Sequence, residues 1–351
     1  MTARQNRIIR SFAPIRICDN GGWTDTWFAR TGKVFNIAVH PCVEVQVSVR
    51  ERHGDEPRVI VNAENYGDRF TVTEAGGKYE RQPLVEATIE FMRVPPDAHI
   101  EIAIHSEAPG GCSTGTSAAV SVALIGALDR IAGGEMTPRD VARAAHRIET
   151  ELLGQQSGIQ DQIASAYGGI NYIDMFEYPE ATVNPIRLPD AIAWELESRL
   201  SLIFVGVAHS SSEVHEMVIR ELASAGPDAG KLQPLRQTAE KSKDALLAGD
   251  FRALGQAMIE NTAAQENLHP ALIGTDHRRI IEIAGAHGAL GWKVNGAGGE
   301  GGSVTILSGP CRTIQRAMLR EVLATEPRYR LIPVPLSREG LRVWETADAI
   351  C

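Results

Sequence analysis

The chain has no apolar run long enough to span a bilayer, no excess of basic residues and no paired cysteines, and each absence removes a class of function. The first seven residues, Met1 to Arg7, have no apolar core behind their charges, so no secretory signal is expected. Cys18, Cys42, Cys112, Cys311 and Cys351 are scattered and odd in number, with no C-x-x-C pair, which argues against a zinc module and a disulfide framework. A net charge of −9 argues against nucleic acid as a constitutive partner. Internal repeats, low-complexity segments and coiled-coil heptads are also missing. The expectation is a reduced, cytoplasmic protein, monomer or homodimer, with neither nucleic-acid nor membrane partners. At 351 residues, 43% hydrophobic and 23% charged, it is globular and long enough for two domains.

Strands are expected at Arg7–Cys18 (broken at Pro14), as paired segments within Val34–Arg50, as a hairpin over Arg58–Ala63 and Arg69–Thr73, and at His99–Ile104. Helices are expected at Pro83–Arg93, at Ser117–Ala132 and, from a Thr-Pro-x-Asp start, at Thr137–Leu153. A polar loop and the segment Ser157–Asp174 follow, with Asp161 in a Gly-flanked loop. Pro185–Asp190 is the expected boundary between domains 1–188 and 189–351. Beyond it come a strand at Leu200–Val207 and helices at Glu213–Ala225, Lys231–Leu247, Phe251–Asn267 and Thr275–His287. Strands at Trp292–Asn295 and Ser303–Leu307, a helix at Pro310–Ala324, and strands near Tyr329–Val334 and Leu341–Trp344 complete the chain. Strands and helices mix without strict alternation, the pattern of α+β packing.

The stretch Pro109-Gly-Gly-Cys-Ser-Thr-Gly-Thr-Ser-Ala-Ala119 lies between the His99–Ile104 strand and the following helix. Glycines let backbone N–H groups approach an anion, and the first turn of a helix offers unpaired N–H groups. Thr114, Thr116 and Ser117 add hydroxyls for phosphate oxygens or a metal. A Ser/Thr-rich loop that merely caps a helix is the alternative. The lysine of a Walker A loop is missing, since Gly115 is followed by Thr116. Two acids, Glu149 and Asp161, follow downstream; near a nucleotide they would suit Mg²⁺ or a proton acceptor, and otherwise they are solvated surface acids. Arg16 with Gly22-Trp23-Thr24-Asp25 combines a guanidinium with a carboxylate able to accept sugar hydroxyls, or is a turn with a salt bridge. The run Lys293-Val-Asn-Gly296-Ala-Gly298-Gly-Glu-Gly301-Gly302 contains G-x-G-x-x-G, but the strand-like residues after it disfavour a dinucleotide site.

Three segments resemble the motifs of the GHMP kinases, the galactokinase, homoserine kinase, mevalonate kinase and phosphomevalonate kinase superfamily. Ala13-Pro14-Ile15-Arg16 is similar to the first motif; Pro109, Gly111, Gly115, Ser117, Ala118 and Ala119 match the phosphate loop, with Ser113 where Gly is usual and Thr114 where Leu is usual. Lys293–Gly302 resembles the third motif, with Glu300 interrupting the glycines. The G-G-W-T-D segment looks like fucokinases and shares its core with heptose-phosphate kinases, although Trp27-Phe28 replaces the usual prolines.

The resemblance implies an α+β two-domain fold: an N-terminal domain like domain 2 of ribosomal protein S5 and a ferredoxin-like C-terminal domain. It implies ATP-dependent phosphorylation of a sugar hydroxyl, with ATP and Mg²⁺ as cofactors. Asp161 and Arg16 would be catalytic. Pro109, Gly111, Cys112, Ser113, Thr114, Gly115, Thr116 and Ser117 would bind ATP, and Ser117 and Glu149 would bind the metal. Gly22, Trp23, Thr24, Asp25, Gly169, Lys293, Gly296 and Gly298 would contact substrate. The expected acceptor is the anomeric O1 of a fucose-like hexose, ahead of a heptose phosphate. A mevalonate-type kinase or decarboxylase and a non-catalytic sugar or nucleotide sensor are the alternatives. His209 and His215, around Ser210–Ser212, and Trp27 are weaker candidates for substrate contact.

Overall fold

The computed structural model describes residues 7–72, 78–208, 216, 218–220, 222 and 230–346. Two sheets organise it. The first runs β12-β1-β2-β5-β3-β4, with a β6–β7 hairpin attached to β2. Its strands are β1 (Arg7–Asn20), β2 (Gly32–Glu51), β3 (Val59–Ala63), β4 (Asp68–Val72), β5 (Ala98–Ser106), β6 (Ile170–Glu177), β7 (Glu180–Pro185) and β12 (Arg342–Thr346). Alternation sets the buried side: Val43, Val45 and Val47 of β2 and Ile100, Ile102 and Ile104 of β5 are buried, with Glu44, Gln46 and Ser48 less so. The two segments expected within Val34–Arg50 form one strand. It changes partner along its length, pairing β6 from Gly32 to Ile37 and β5 from Val43 to Glu51.

The helices α1 (Pro83–Met92), α2 (Thr116–Ala132), α3 (Pro138–Arg147) and α4 (Gln160–Tyr167) pack with this sheet and each other. In α2 the small residues Ala118, Ala119, Ala123 and Ala127 are buried, and Ser11 of β1 donates its hydroxyl to the Ala123 carbonyl at 2.7 Å. The expected helix Thr137–Leu153 is shorter: α3 gives way to a π-helical turn at Ile148–Leu152. Asp161, expected in a loop, lies in the first turn of α4.

The second sheet contains β8 (Leu200–Phe204), β9 (Gly291–Val294), β10 (Ser303–Leu307) and β11 (Arg330–Ile332) in the order β11-β8-β10-β9, all antiparallel. Counted in chain order this is the 4-1-3-2 arrangement of a ferredoxin-like sheet. Helices α8 (Thr275–Ala286) and α9 (Arg312–Thr325) cover it through Ile280, Ala284, Met318 and Val322. Helix α5 (Asp190–Arg199) precedes β8, and α6 (Leu232–Leu247) and α7 (Phe251–Leu268) lie between β8 and β9 in sequence. The last strand, β12, returns to the first sheet: Ile8 to Phe12 pair with Thr346 to Arg342, and Phe12 stacks on Trp344 with ring centroids 5.3 Å apart. A division at 188/189 therefore leaves β12 on the sheet of the first half. Among the described residues no helix is long and apolar enough to cross a membrane.

A buried polar network joins α6 and α7 to the turn after β1. Asn261 Oδ1 accepts from the Gly21 N–H and the Thr238 hydroxyl, each at 2.7 Å, and Asn20 Nδ2 donates to the Ser242 hydroxyl at 2.7 Å. Asn261 is 1% exposed, so Asn261→Ala takes the acceptor from the buried Gly21 N–H, while the Thr238 hydroxyl keeps the Leu235 carbonyl at 2.7 Å. The expected loss is about 2 kcal/mol or more in urea unfolding; a change within about 0.5 kcal/mol would mean that this network is dispensable.

Candidate active site

Strand β5 ends at Ser106, and the chain runs through residues 107–115 into α2. Gly115 is the N-cap, in the left-handed region at φ 71°, and no side chain caps the helix. The first N–H groups of this 17-residue helix thus face a cleft of about 850 Å³ without an intrahelical acceptor. The Ser117 hydroxyl is exposed on that cleft. Cys112 is buried and its thiol is pushed up to about 11 by burial, so the residue offers the loop its backbone. Ser113, where the resemblance expects Gly, has φ 59°; that conformation explains the glycine preference and marks Ser113 as a strained position.

Arg16, 3% exposed, crosses from β1 to this loop. Its backbone N–H donates to the Thr114 carbonyl at 2.9 Å and its Nη1 to the Ser113 carbonyl at 2.5 Å. Its Nε and Nη2 form a fork on the two oxygens of Asp161, at 2.8 and 3.1 Å. Burial alone would lower the Arg16 pKa; the carboxylates of Asp161, Asp19 and Asp25 outweigh it and hold the guanidinium above the usual arginine range. Asp25 is 3% exposed and accepts from the Gln160 N–H at 3.1 Å; burial, with Asp161 and Asp19 nearby, pushes its carboxyl up to about 6.

Glu149 sits in the π-helical turn and is 5% exposed. Its Oε2 accepts from Gln162 Nε2 at 2.9 Å, while its Oε1 is buried with no hydrogen-bond partner among the described residues. Burial, with Asp161 nearby, pushes this carboxyl up to about 7. Among the described residues no group of three or more His, Cys, Asp or Glu side chains is arranged to hold a metal by itself. An orphaned hard oxygen and an exposed hydroxyl on one cleft do fit a cation that takes its remaining ligands from phosphate and water.

The glycine-rich turn between β9 and β10 brings Gly296 and Ala297 to the same cleft. Its G-x-G-x-x-G is followed by strand β10, so the helix that a dinucleotide site requires is absent from this turn. Five expected substrate contacts lie off the cleft. Gly22 packs against the Asp19 carboxylate, and Gly298 against the Leu272 carbonyl. The Thr24 hydroxyl donates to Gly21 within the turn. Gly169 is fixed between Ala38 and Ser337 by backbone hydrogen bonds of 2.8 and 2.7 Å. The Lys293 ammonium is 1% exposed and points inward, to Asp19, Gln265 and the Val294 carbonyl. Trp23 lines the cleft but is largely embedded in a cluster with Phe28, Leu268 and Leu272; Trp27 is 45% exposed and off the cleft wall. His209, Ser210–Ser212 and His215 lie outside the described residues. Sequence reading missed Asp19, the 154–158 loop, and the wall formed by Asn65, Tyr66, Gln82 and Leu84. Only Asp19 carried a signal, an acid within the first glycine segment.

The model of the GHMP kinases N terminal domain matches residues 83–169, from α1 through α4. The D-glycero-alpha-D-manno-heptose 7-phosphate kinase of Campylobacter jejuni is 25% identical over 344 residues, 96% of this chain and 99% of that protein. The mevalonate kinase of Thermococcus gammatolerans is 31% identical over 288 residues, 78% of each chain. In fold, a crystal structure of a D-glycero-D-manno-heptose 1-phosphate kinase from Bacteriodes thetaiotaomicron superposes with a TM-score of 0.73 at 22% identity, covering 96% of this chain and 98% of that one.

Two outcomes follow from the geometry. Glu149 holds its proton up to about pH 7 when folded and to about 4.5 when unfolded. Between those values the native state binds the extra proton, so this group's contribution to stability is lost as pH rises through the window, on the order of 3 kcal/mol in all. In EDTA, Glu149→Gln should melt above wild type at pH 7.5 and level with it at pH 4.5; equal melting temperatures at both would refute the burial argument. Ser113→Gly should leave stability unchanged or raise it by about 1 kcal/mol, whereas Ser113→Val should lower it. Chemical denaturation of both variants gives the comparison.

Proposed function

The chain belongs to the GHMP kinase family, and from that premise we propose that it transfers a phosphoryl group from ATP to a hydroxyl of a sugar. The observation that carries the reading is the Arg16–Asp161 fork placed beside the uncapped N-terminus of α2. The Pro109–Ser117 loop and the first turn of α2 receive the triphosphate through backbone N–H groups. Magnesium, when bound, supplies charge neutralisation on the phosphates; Ser117 and Glu149 are the residues that would hold it. Asp161 orients the acceptor hydroxyl and takes its proton. The sugar oxygen forms the new O–P bond, the β–γ bridging bond breaks, and ADP leaves. Arg16, fixed by Asp161 and the Ser113 carbonyl, offsets charge on the group in flight. Asp25, held at the start of α4 by the Gln160 N–H, accepts sugar hydroxyls.

The substrate class is a sugar or sugar phosphate. The heptose-phosphate kinase likeness extends over nearly the whole chain, which moves a heptose phosphate ahead of the fucose-type hexose suggested by G-G-W-T-D. The anomeric oxygen is the proposed acceptor in either case. An ADP-release panel of heptose 7-phosphate, fucose, galactose and mevalonate tests this order; turnover with mevalonate alone would overturn the sugar reading. Phosphorus NMR of the product should show coupling to the anomeric proton.

Asp161→Asn is expected to lower kcat by roughly 10²- to 10⁴-fold, the usual worth of a positioned base, with KM for ATP nearly constant. Turnover within threefold of wild type would remove Asp161 from the chemistry.

A further inference from the structure

Asp19 lies three residues after Arg16 on β1 and is 1% exposed. Its two oxygens accept from the Gly296 N–H at 3.2 and 3.0 Å, and Lys293 Nζ stands 3.3 Å from Oδ1. Lys293 also donates to Gln265 Oε1 at 3.0 Å, and Gln265 Nε2 donates to the Gly296 carbonyl at 3.1 Å. Both sides of the Gly296 backbone are thereby held by one buried cluster that joins β1, α7 and β9. Gly296 has φ 61°, and a Cβ there would lie 3.0 Å from the Ser113 carbonyl oxygen and 3.5 Å from Arg16 Nη2. The turn is thus seated directly on the phosphate loop and on Arg16. Neighbouring bonds give the same register: Cys18 N–H to Asn295 Oδ1 at 3.2 Å, and the Ser303 hydroxyl to the Cys112 carbonyl at 2.7 Å.

We propose that Asp19 is a positioning residue, whose carboxylate, neutralised by Lys293, locks the glycine-rich turn of the second half against Ser113 and Arg16. The role rests on the kinase reading for its effect on turnover, but the latch itself is a property of the fold. It assigns Lys293 to the latch, in place of the substrate contact expected from sequence. A hydrophobic pair would fill the same volume, so stability alone does not require these charges. The Gly296 N–H does require an acceptor.

The decisive variant is the double replacement Asp19→Leu with Lys293→Met, which removes the acceptor of the Gly296 N–H, leaves no lone buried charge and is expected to fold; Asp19→Glu is its conservative companion. Hydrogen exchange of the 293–302 peptide should quicken at least tenfold in the double variant, with exchange in β2 and α2 unchanged. ADP release should fall at least 30-fold in kcat with KM for ATP within threefold, and Asp19→Glu should recover part of it. A folded double variant with wild-type exchange at 293–302 overturns the latch. Wild-type turnover alongside faster exchange overturns the positioning role. A double variant that fails to fold passes the decision to Asp19→Glu: exchange confined to 293–302 supports the latch, and exchange spread across the chain overturns it. Should the wild-type chain release no ADP with any sugar, the kinase reading fails, and the exchange data still decide the latch.

Discussion

A guanidinium cannot be buried without partners, and Arg16 is buried where three elements meet. Its backbone holds Thr114, its side chain holds Ser113 and Asp161, and its charge faces Asp19 and Asp25 as well. The consequence is topological. Residues 145 positions apart must converge for that charge to be satisfied, which fixes α4 against β1 and the phosphate loop against both. Removing the carboxylate or the loop carbonyl would leave the buried cation short of a partner, so the contacts that stabilise the fold also fix the loop and Asp161 against Arg16.

The carboxylates around this cation are unequal because their burial differs. Asp161 retains partial exposure and takes the bidentate fork. Asp25 and Glu149 are nearly inaccessible, and desolvation raises both. Desolvation thus shifts both carboxyls toward their neutral forms. Asp19 is as buried as Asp25 and has the Lys293 ammonium 3.3 Å from its Oδ1.

Short-range signals were legible in the sequence. The strand–glycine loop–helix unit at Pro109–Ser117, the Thr137 cap of α3 and the β9–turn–β10 hairpin all declare themselves through local residue choice. The likeness to known motifs located Arg16, Glu149 and Asp161. Long-range features were hidden. Nothing near Leu341 says that its strand pairs with β1 at the other end of the chain, because register is decided by which edge remains free. The α4 helix begins at Gln160 without a side-chain cap, so Asp161 read as a loop residue. Lys293 read as a substrate contact through the likeness of Lys293–Gly302 to the third motif; its inward course depends on an acid 274 positions away in sequence.

Glu300 shows why a motif should be judged by conformation. The turn needs left-handed backbone at Gly296, Gly298, Gly299 and Gly302, with φ of 61°, 79°, 102° and 86°. Position 300 is not among the positive-φ residues, so an acid there costs the backbone nothing, and its side chain is exposed, with Oε2 3.4 Å from the Thr275 N–H. The interruption that looked like a departure from the family pattern falls where glycine was not required. Ser113 is the opposite case: a residue that looks innocuous in the sequence occupies left-handed backbone at the centre of the phosphate loop. Strain of that kind persists only where surrounding contacts over-determine it. Here the Ser113 carbonyl is held by Arg16 and the residue is pressed by Gly296. The conformation of the 109–117 loop is therefore set jointly by both halves of the molecule.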